Sequence, residues 1–282
     1  MIPILFHIGQ IKIYSFGLML GIGFLLGNAI IAAELRRKNM DPNVAGTITI
    51  IAVFFGIAGA KILFLIEEWG EFVQNPLHEA FSPGGLTWYG GFVLGMAVVW
   101  LYVRRKKIPF LRIWDGLAVA LILAYGVARI GCHLSGDGDY GYPTTLPWGT
   151  NYEHGTYPPS QAMKIFPEIT SHYPGGIVPD NTPCHPTPVY EFLLGLVGFA
   201  ILWKLRTRPW PDGRLFMVYL MLSSVFRFSV EFLRLNPRLA FGLSEAQLIS
   251  ILLFMTGLAG MLVIDRRNHN RILPGENARK TP

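Results

Sequence analysis

Charge and cysteine are both scarce in this chain. Only 15% of its 282 residues are charged, against roughly 25% in soluble domains, which excludes an ordinary water-soluble globule. Cys132 and Cys184 are the only two cysteines. They are too few for a disulfide scaffold, and their spacing matches no metal site. No His-Glu-x-x-His spacing occurs, which argues against an intramembrane metalloprotease built on His133, His185 and Glu191. The net charge is +6, yet the cations form short clusters at the ends of apolar runs rather than lining one face, so nucleic acid is not an expected partner. A basic leader followed by a small-residue cleavage site is missing from Met1 to Gln10, so the first apolar run is expected to be a retained helix. Without an internal repeat, one membrane-embedded domain is expected to account for residues 1–282.

What the chain has in abundance is long apolar sequence. A helix of about 20 residues crosses roughly 30 Å of hydrocarbon, and seven windows approach that length. They are Tyr14 to Ala33, Val44 to Ile66, Trp88 to Val103, Leu111 to Leu134, Pro188 to Leu205, Leu215 to Leu235 and Ala246 to Ile264. The expected fold is therefore an all-α polytopic membrane protein. Lys and Arg gather in alternate connections, at Arg36-Arg37-Lys38, Arg104 to Lys107, Lys204 to Arg214 and Arg266-Arg267. By the positive-inside rule the amino terminus is outside and the carboxyl terminus in the cytoplasm. Residues 135–186 then form an extracytoplasmic loop whose aromatics, among them Tyr140, Tyr142, Trp148 and Tyr152, suggest an ordered cap. A loop of this length is usually functional or disordered. Residues 272–282 read as a short disordered tail. Cys132 and Cys184 both fall on the outer side, where a disulfide between them is permitted.

Several charges fall where they are costly. Lys61, Asp115, Arg129, Glu191, Arg227, Glu231 and Arg234 lie within or at the ends of proposed spans, and an ionised group at that depth marks a functional site by default. Asp115 follows Arg112 by three residues, a spacing that suits a structural ion pair, and Lys61 could snorkel to the outer interface. Arg227 and Glu231 are four apart and share a helix face. Arg129 and Arg227 belong to the outer halves of their spans, and two guanidiniums facing one cavity make a clamp for phosphate, which in a bilayer is a lipid head group. His133 shares a helix face with Arg129, and cationic neighbours favour its neutral, basic form. The glycine pairs Gly84-Gly85 and Gly90-Gly91 flank Trp88-Tyr89, where helix packing alone does not require them, so a substrate-facing turn is expected there.

Five segments together carry a resemblance. The strongest runs from Ala128-Arg129-Ile130-Gly131 through Ser135-Gly136-Asp137 to Gly141; the others are Phe16-Gly17-Leu18-Met19, Tyr89-Gly90-Gly91, His185-Pro186-Thr187 with Tyr190-Glu191, and Phe226-Arg227-Phe228 with Glu231-Phe232. In this order they resemble the motifs of the bacterial prolipoprotein diacylglyceryl transferases, over nearly the whole chain. Members of that family move the diacylglyceryl group of phosphatidylglycerol onto the lipobox cysteine of a preprolipoprotein signal peptide and release glycerol phosphate. The resemblance implies membrane lipid and such signal peptides as partners, the bacterial inner membrane as location, and no metal or other cofactor. It implies that Arg129 and Arg227 hold the lipid phosphate, that Asp137 stands for the family's Glu, and that Gly90, Gly91, Gly131, Gly136, Gly141, His185, Glu191 and Glu231 line the substrate site.

Departures from the family pattern fall inside the motifs. Tyr89 stands where many members have His, Ala128 replaces Gly, Cys132 and Ser135 replace Asn, Phe16 replaces Tyr, and the loop at Asp137-Gly138-Asp139 is one residue longer. Tyr89 would need a large shift from about 10 to act as a base. The acceptor thiol's proton then falls to His133, Asp137 or Glu191, or the arginines' field lowers the thiol's own pKa. A paralogue with altered lipid or acceptor, and a non-enzymatic lipid or anion transporter, are the rival readings; no inverted repeat supports the transporter.

Overall fold

The computed structural model describes residues 1–9, 11–82 and 87–277, and it is predominantly helical. An antiparallel hairpin, β1 (Ile4–Ile8) and β2 (Ile11–Tyr14), precedes α1 (Ser15–Arg37). Then come α2 (Asn43–Glu67), α3 (Trp69–Gln74), α4 (Pro76–Phe81), α5 (Trp88–Arg105) and α6 (Phe110–Ser135). The next segment holds β3 (Thr150–Asn151), α7 (Pro159–Ala162), α8 (Pro167–Thr170) and β4 (Pro183–Cys184). The chain closes with α9 (Thr187–Leu205), α10 (Arg214–Val230), the hairpin β5 (Arg238–Ala240) and β6 (Leu243–Ser244), and α11 (Glu245–Asn277).

Among the described residues, six helices are long and apolar enough to cross a membrane: α1, α2, α6, α9, α11, and α10 extended by a 3-10 turn to Leu233. The expected third span does form a helix, α5, but it opens on Trp-Tyr-Gly-Gly and ends on two arginines. Its 18 residues approach the length of a crossing, and its glycine-bearing and charged ends keep it out of that set. The amino-terminal hairpin was not expected. Its alternating Ile11-Lys12-Ile13-Tyr14 is a strand pattern, and Gly9 at φ 61° supplies the turn. α11 also runs on to Asn277, past the expected start of a disordered tail. The last residues of that tail, 278–282, and the pair Gly84-Gly85 lie outside the described residues.

Two compact units are resolved: Gly27–Gly116, and Met1–Leu26 with Leu117–Pro282. In the first, α2 and α5 meet through glycines. A Cβ at Gly59 would overlap Gly90 O, and one at Gly91 would sit 2.6 Å from Gly56 O. This is the small-residue contact that lets membrane helices approach closely. Gly90 and Gly91 are therefore helical packing residues and not part of a turn. Two of the costly charges are matched in this unit: Lys61 Nζ donates to Ser82 Oγ at 2.9 Å, and Asp115 takes Lys38 at 2.9 Å.

The second unit holds the remaining charges. α6 and α9 approach at Gly126 and Gly195, where a Cβ on Gly195 would lie 3.2 Å from Gly126 Cα. That contact sets Arg129, one turn later on α6, beside Glu191, one turn earlier on α9. Between the two helices the chain packs around a core of Tyr140, Tyr152, Met163, Phe166, Ile169, Val178 and Cys184, joined by Leu235 from beyond α10. Tyr140 and Tyr152 stack with centroids 4.1 Å apart, and the Tyr140 hydroxyl donates to Tyr157 O at 2.6 Å. Burial of two large aromatics with their hydroxyls satisfied gives this segment an apolar anchor of its own.

Candidate functional site

Glu191 is the hub of the buried charges, with a side chain only 2% exposed. Its Oε1 lies 2.9 Å from Arg227 Nη1 and accepts the Tyr125 hydroxyl at 2.6 Å. Its Oε2 lies 3.0 Å from Arg129 Nε and 3.1 Å from Arg234 Nη1. Glu231, fully buried, lies one turn after Arg227 and pairs with Arg227 Nη2 at 2.9 Å. Ser244 Oγ and Asn236 Nδ2 donate to its other oxygen at 2.6 and 2.7 Å. Asp139 completes the cluster by bridging Arg129 Nη1 and Arg234 Nη2. Three guanidiniums thus face three carboxylates, and the buried charge balances. Unbalanced, each ion would cost several kcal/mol.

Local sequence explains how the cluster is held. Tyr125 and Arg129 are four apart on α6, so the ring lies beneath the guanidinium, 4.9 Å from its centroid. Gly141 allows the loop after α6 to reach Arg234: its N–H donates to His185 O at 2.9 Å, and Tyr142 N–H donates to Leu233 O at 3.0 Å. A Cβ at Gly141 would overlap Leu233 O, so only glycine fits there. Two donors in the cluster remain unmet. Arg129 Nε and Arg234 Nε are buried without an aligned hydrogen-bond acceptor, although each lies near a carboxylate.

The two aspartates of the loop have opposite environments. Burial would raise Asp139, but the charges of Arg129 and Arg234 outweigh it and hold the carboxyl at about 2. Asp137 is pushed above the usual carboxylate range, first by burial and then by the charge of Asp139, and it accepts from the Cys132 thiol. Cys132 Sγ and the two carboxylates lie within 4.8 Å of one another, a grouping able to hold a metal ion. Two guanidiniums already occupy Asp139, and they would oppose a second cation. Cys132 and Cys184 are both free thiols, so the permitted disulfide does not form. Cys184 is instead buried on Thr182 O at 3.3 Å, and burial pushes its thiol up to about 12.

The geometry gathers Arg129, Arg227, Glu191 and Glu231 as the sequence suggested. It adds Asp139 as the acid of the loop that pairs with the arginines, while Asp137 meets the Cys132 thiol. It adds Arg234 and Tyr125. Tyr125 was legible in principle, since it stands one helical turn before Arg129. His133 turns to the loop core, with Nδ1 3.0 Å from the Tyr152 hydroxyl. His185 packs on Tyr190, with Nδ1 3.3 Å from its hydroxyl, and joins the site through its backbone. Gly131 packs against Phe16 of α1, and Gly136 takes φ 59° at the exit from α6. Tyr89 lies in the first turn of α5, in the other unit, with 48% of its surface exposed.

Fold and cluster define a class: a helical, multi-pass membrane protein with a charge-balanced arginine cluster where α6 ends and α9 begins. Within that class the chain belongs to the prolipoprotein diacylglyceryl transferase family, whose family model matches residues 3–263. It is 30% identical over 258 residues to a phosphatidylglycerol–prolipoprotein diacylglyceryl transferase of Clostridium tetani, covering 91% of this chain and 95% of the relative. A Bordetella avium protein of the same name is 30% identical over 281 residues, covering 94% and 96%. A Clostridioides difficile protein of that name is 27% identical over 269 residues, covering 95% and 97%.

Proposed function

We propose that this protein transfers the diacylglyceryl group of phosphatidylglycerol to the lipobox cysteine thiol of preprolipoproteins. Near full-length similarity to relatives named for that reaction favours transfer over transport. The observation that carries the reading is the gathering of Arg129, Arg227 and Arg234 around one buried carboxylate. In the reaction the thiol loses its proton, sulfur attacks the glyceryl carbon, and the bond from that carbon to the phosphate oxygen breaks. A thioether forms and glycerol phosphate leaves with the bonding electrons. Arg129 and Arg227 hold the phosphate and stabilise the charge that develops on it.

Asp137 and His133 are the groups assigned to take the thiol's proton. Asp137 is a stronger base than an ordinary carboxylate, and His133 stands one turn after Arg129 on α6. Glu191 is a poor choice, since four donors already surround it. Tyr89 is assigned to substrate orientation, and Gly131, Gly136, Gly141 and His185 to shaping the site, while Gly90 and Gly91 hold α5 on α2. The reaction requires no cofactor. The chain acts as one transferase domain in the bacterial inner membrane, with α5 as a seventh span, the amino terminus outside and residues 135–186 on the outer face, where lipobox cysteines emerge.

Incubating the purified protein with phosphatidylglycerol and a lipobox peptide is expected to add the mass of one diacylglyceryl group to the peptide. A peptide carrying serine at the lipobox cysteine should stay unmodified. Lipid binding without an adduct would leave the transporter reading standing instead.

A further inference from the structure

Asp139 differs from the other two carboxylates of the cluster. Glu191 and Glu231 are closed off, at 2% and 0% exposed, and neutral donors also brace them: Tyr125 on the first, Ser244 and Asn236 on the second. Asp139 leaves 34% of its side chain open, and among the described residues its bridging oxygens meet Arg129 and Arg234. Its backbone is pinned separately, the carbonyl accepting Thr187 Oγ1 at 2.7 Å. A rotation about its side-chain bonds can therefore release both arginines while the loop stays in place.

We propose that Asp139 is a resident anion: its carboxylate occupies the position that the lipid phosphate takes between Arg129 and Arg234, and it swings out when the phosphate enters. The proposal rests on the transfer reading above and makes Arg234 a third member of the phosphate clamp. Charge supports the exchange, because a phosphodiester carries one negative charge and replaces one carboxylate, leaving the arginines balanced. Geometry supports it as well. Asp139 meets the Nη atoms of both arginines while their Nε atoms face Glu191 and Glu231, so an anion in its place keeps both guanidiniums paired without disturbing the glutamates, and a phosphate offers more acceptor oxygens than a carboxylate. Cleavage gives the departing glycerol phosphate a second negative charge. Asp139 then competes for the same arginines and helps to expel it.

Binding of labelled glycerol 1-phosphate to the full-length protein in detergent, without peptide, tests this apart from turnover. Asp139→Asn is expected to bind about tenfold more tightly than wild type, a 1.4 kcal/mol change, and to show a lower KM for phosphatidylglycerol. Asp139→Ser carries the same expectation in case the amide perturbs folding, and Asp139→Glu should return binding to the wild-type level. Unchanged or weaker binding by the folded charge-removing variants would overturn the proposal and make Asp139 a structural brace. Failure of wild type to form the thioether would instead sink the transfer reading, while the binding comparison would still decide whether Asp139 competes with phosphate.

Discussion

Replacing Arg129 with alanine is expected to lower diacylglyceryl transfer by at least about 10³-fold, the upper range for losing one donor to a developing oxyanion. The loss is this large because Arg129 joins several members of the site at once. It pairs with Glu191 and Asp139 and rests on the Tyr125 ring. Removing it takes away a phosphate ligand and also frees two carboxylates to repel the incoming anion. Arg227→Ala should lose activity to a similar extent, since Arg227 is the guanidinium on the other oxygen of Glu191, Oε1. Lysine at either position restores charge but not the planar fork, so recovery should be small. Headgroup release from labelled phosphatidylglycerol in proteoliposomes checks both variants. Normal turnover by the two would contradict the role of the arginines, provided that each variant inserts.

Glu191→Gln is expected to have the largest effect on stability. The substitution keeps an acceptor for Tyr125 but leaves three arginines facing two carboxylates in a buried site. Breaking a buried pair from one side costs about 3–5 kcal/mol. On the scale of soluble domains that lowers the melting temperature by roughly 6 °C or more. The control is Glu153→Gln, at an exposed position outside the cluster, which should melt as wild type does. Equal melting of the two variants in detergent would show that Glu191 does not hold the cluster together.

Membrane character was the most legible property of this chain, because length and apolarity of a run are local quantities. Windows around α1, α2, α6, α9, α10 and α11 need only counting. The window at α5 also folds as a helix, and its glycines pack it tightly on α2. The same counting missed β1 and β2, since a short alternating segment is lost beside a long apolar run.

The site was legible as a set of expensive charges rather than as a wiring diagram. Arg227 and Glu231 follow from helical spacing. The convergence of Arg129 with Glu191 depends on the approach of α6 to α9 through Gly126 and Gly195, which no local spacing reveals. The two aspartates of the loop illustrate the limit. Two aspartates two residues apart look alike in sequence, and only the bridge between Gly141 and Arg234 brings the second onto the arginines. The free cysteines teach the same lesson. Both were expected on one side of the membrane, but Cys132 turns to Asp137 while Cys184 is buried in the core of the loop segment.

The measurement that tests the central claim most directly is an experimental structure of the protein with phosphatidylglycerol bound. Phosphate oxygens within hydrogen-bond distance of Arg129, Arg227 and Arg234, with Asp139 turned away, are the predicted result. A phosphate bound elsewhere, with the arginines still paired to Asp139 and Glu191, would contradict it.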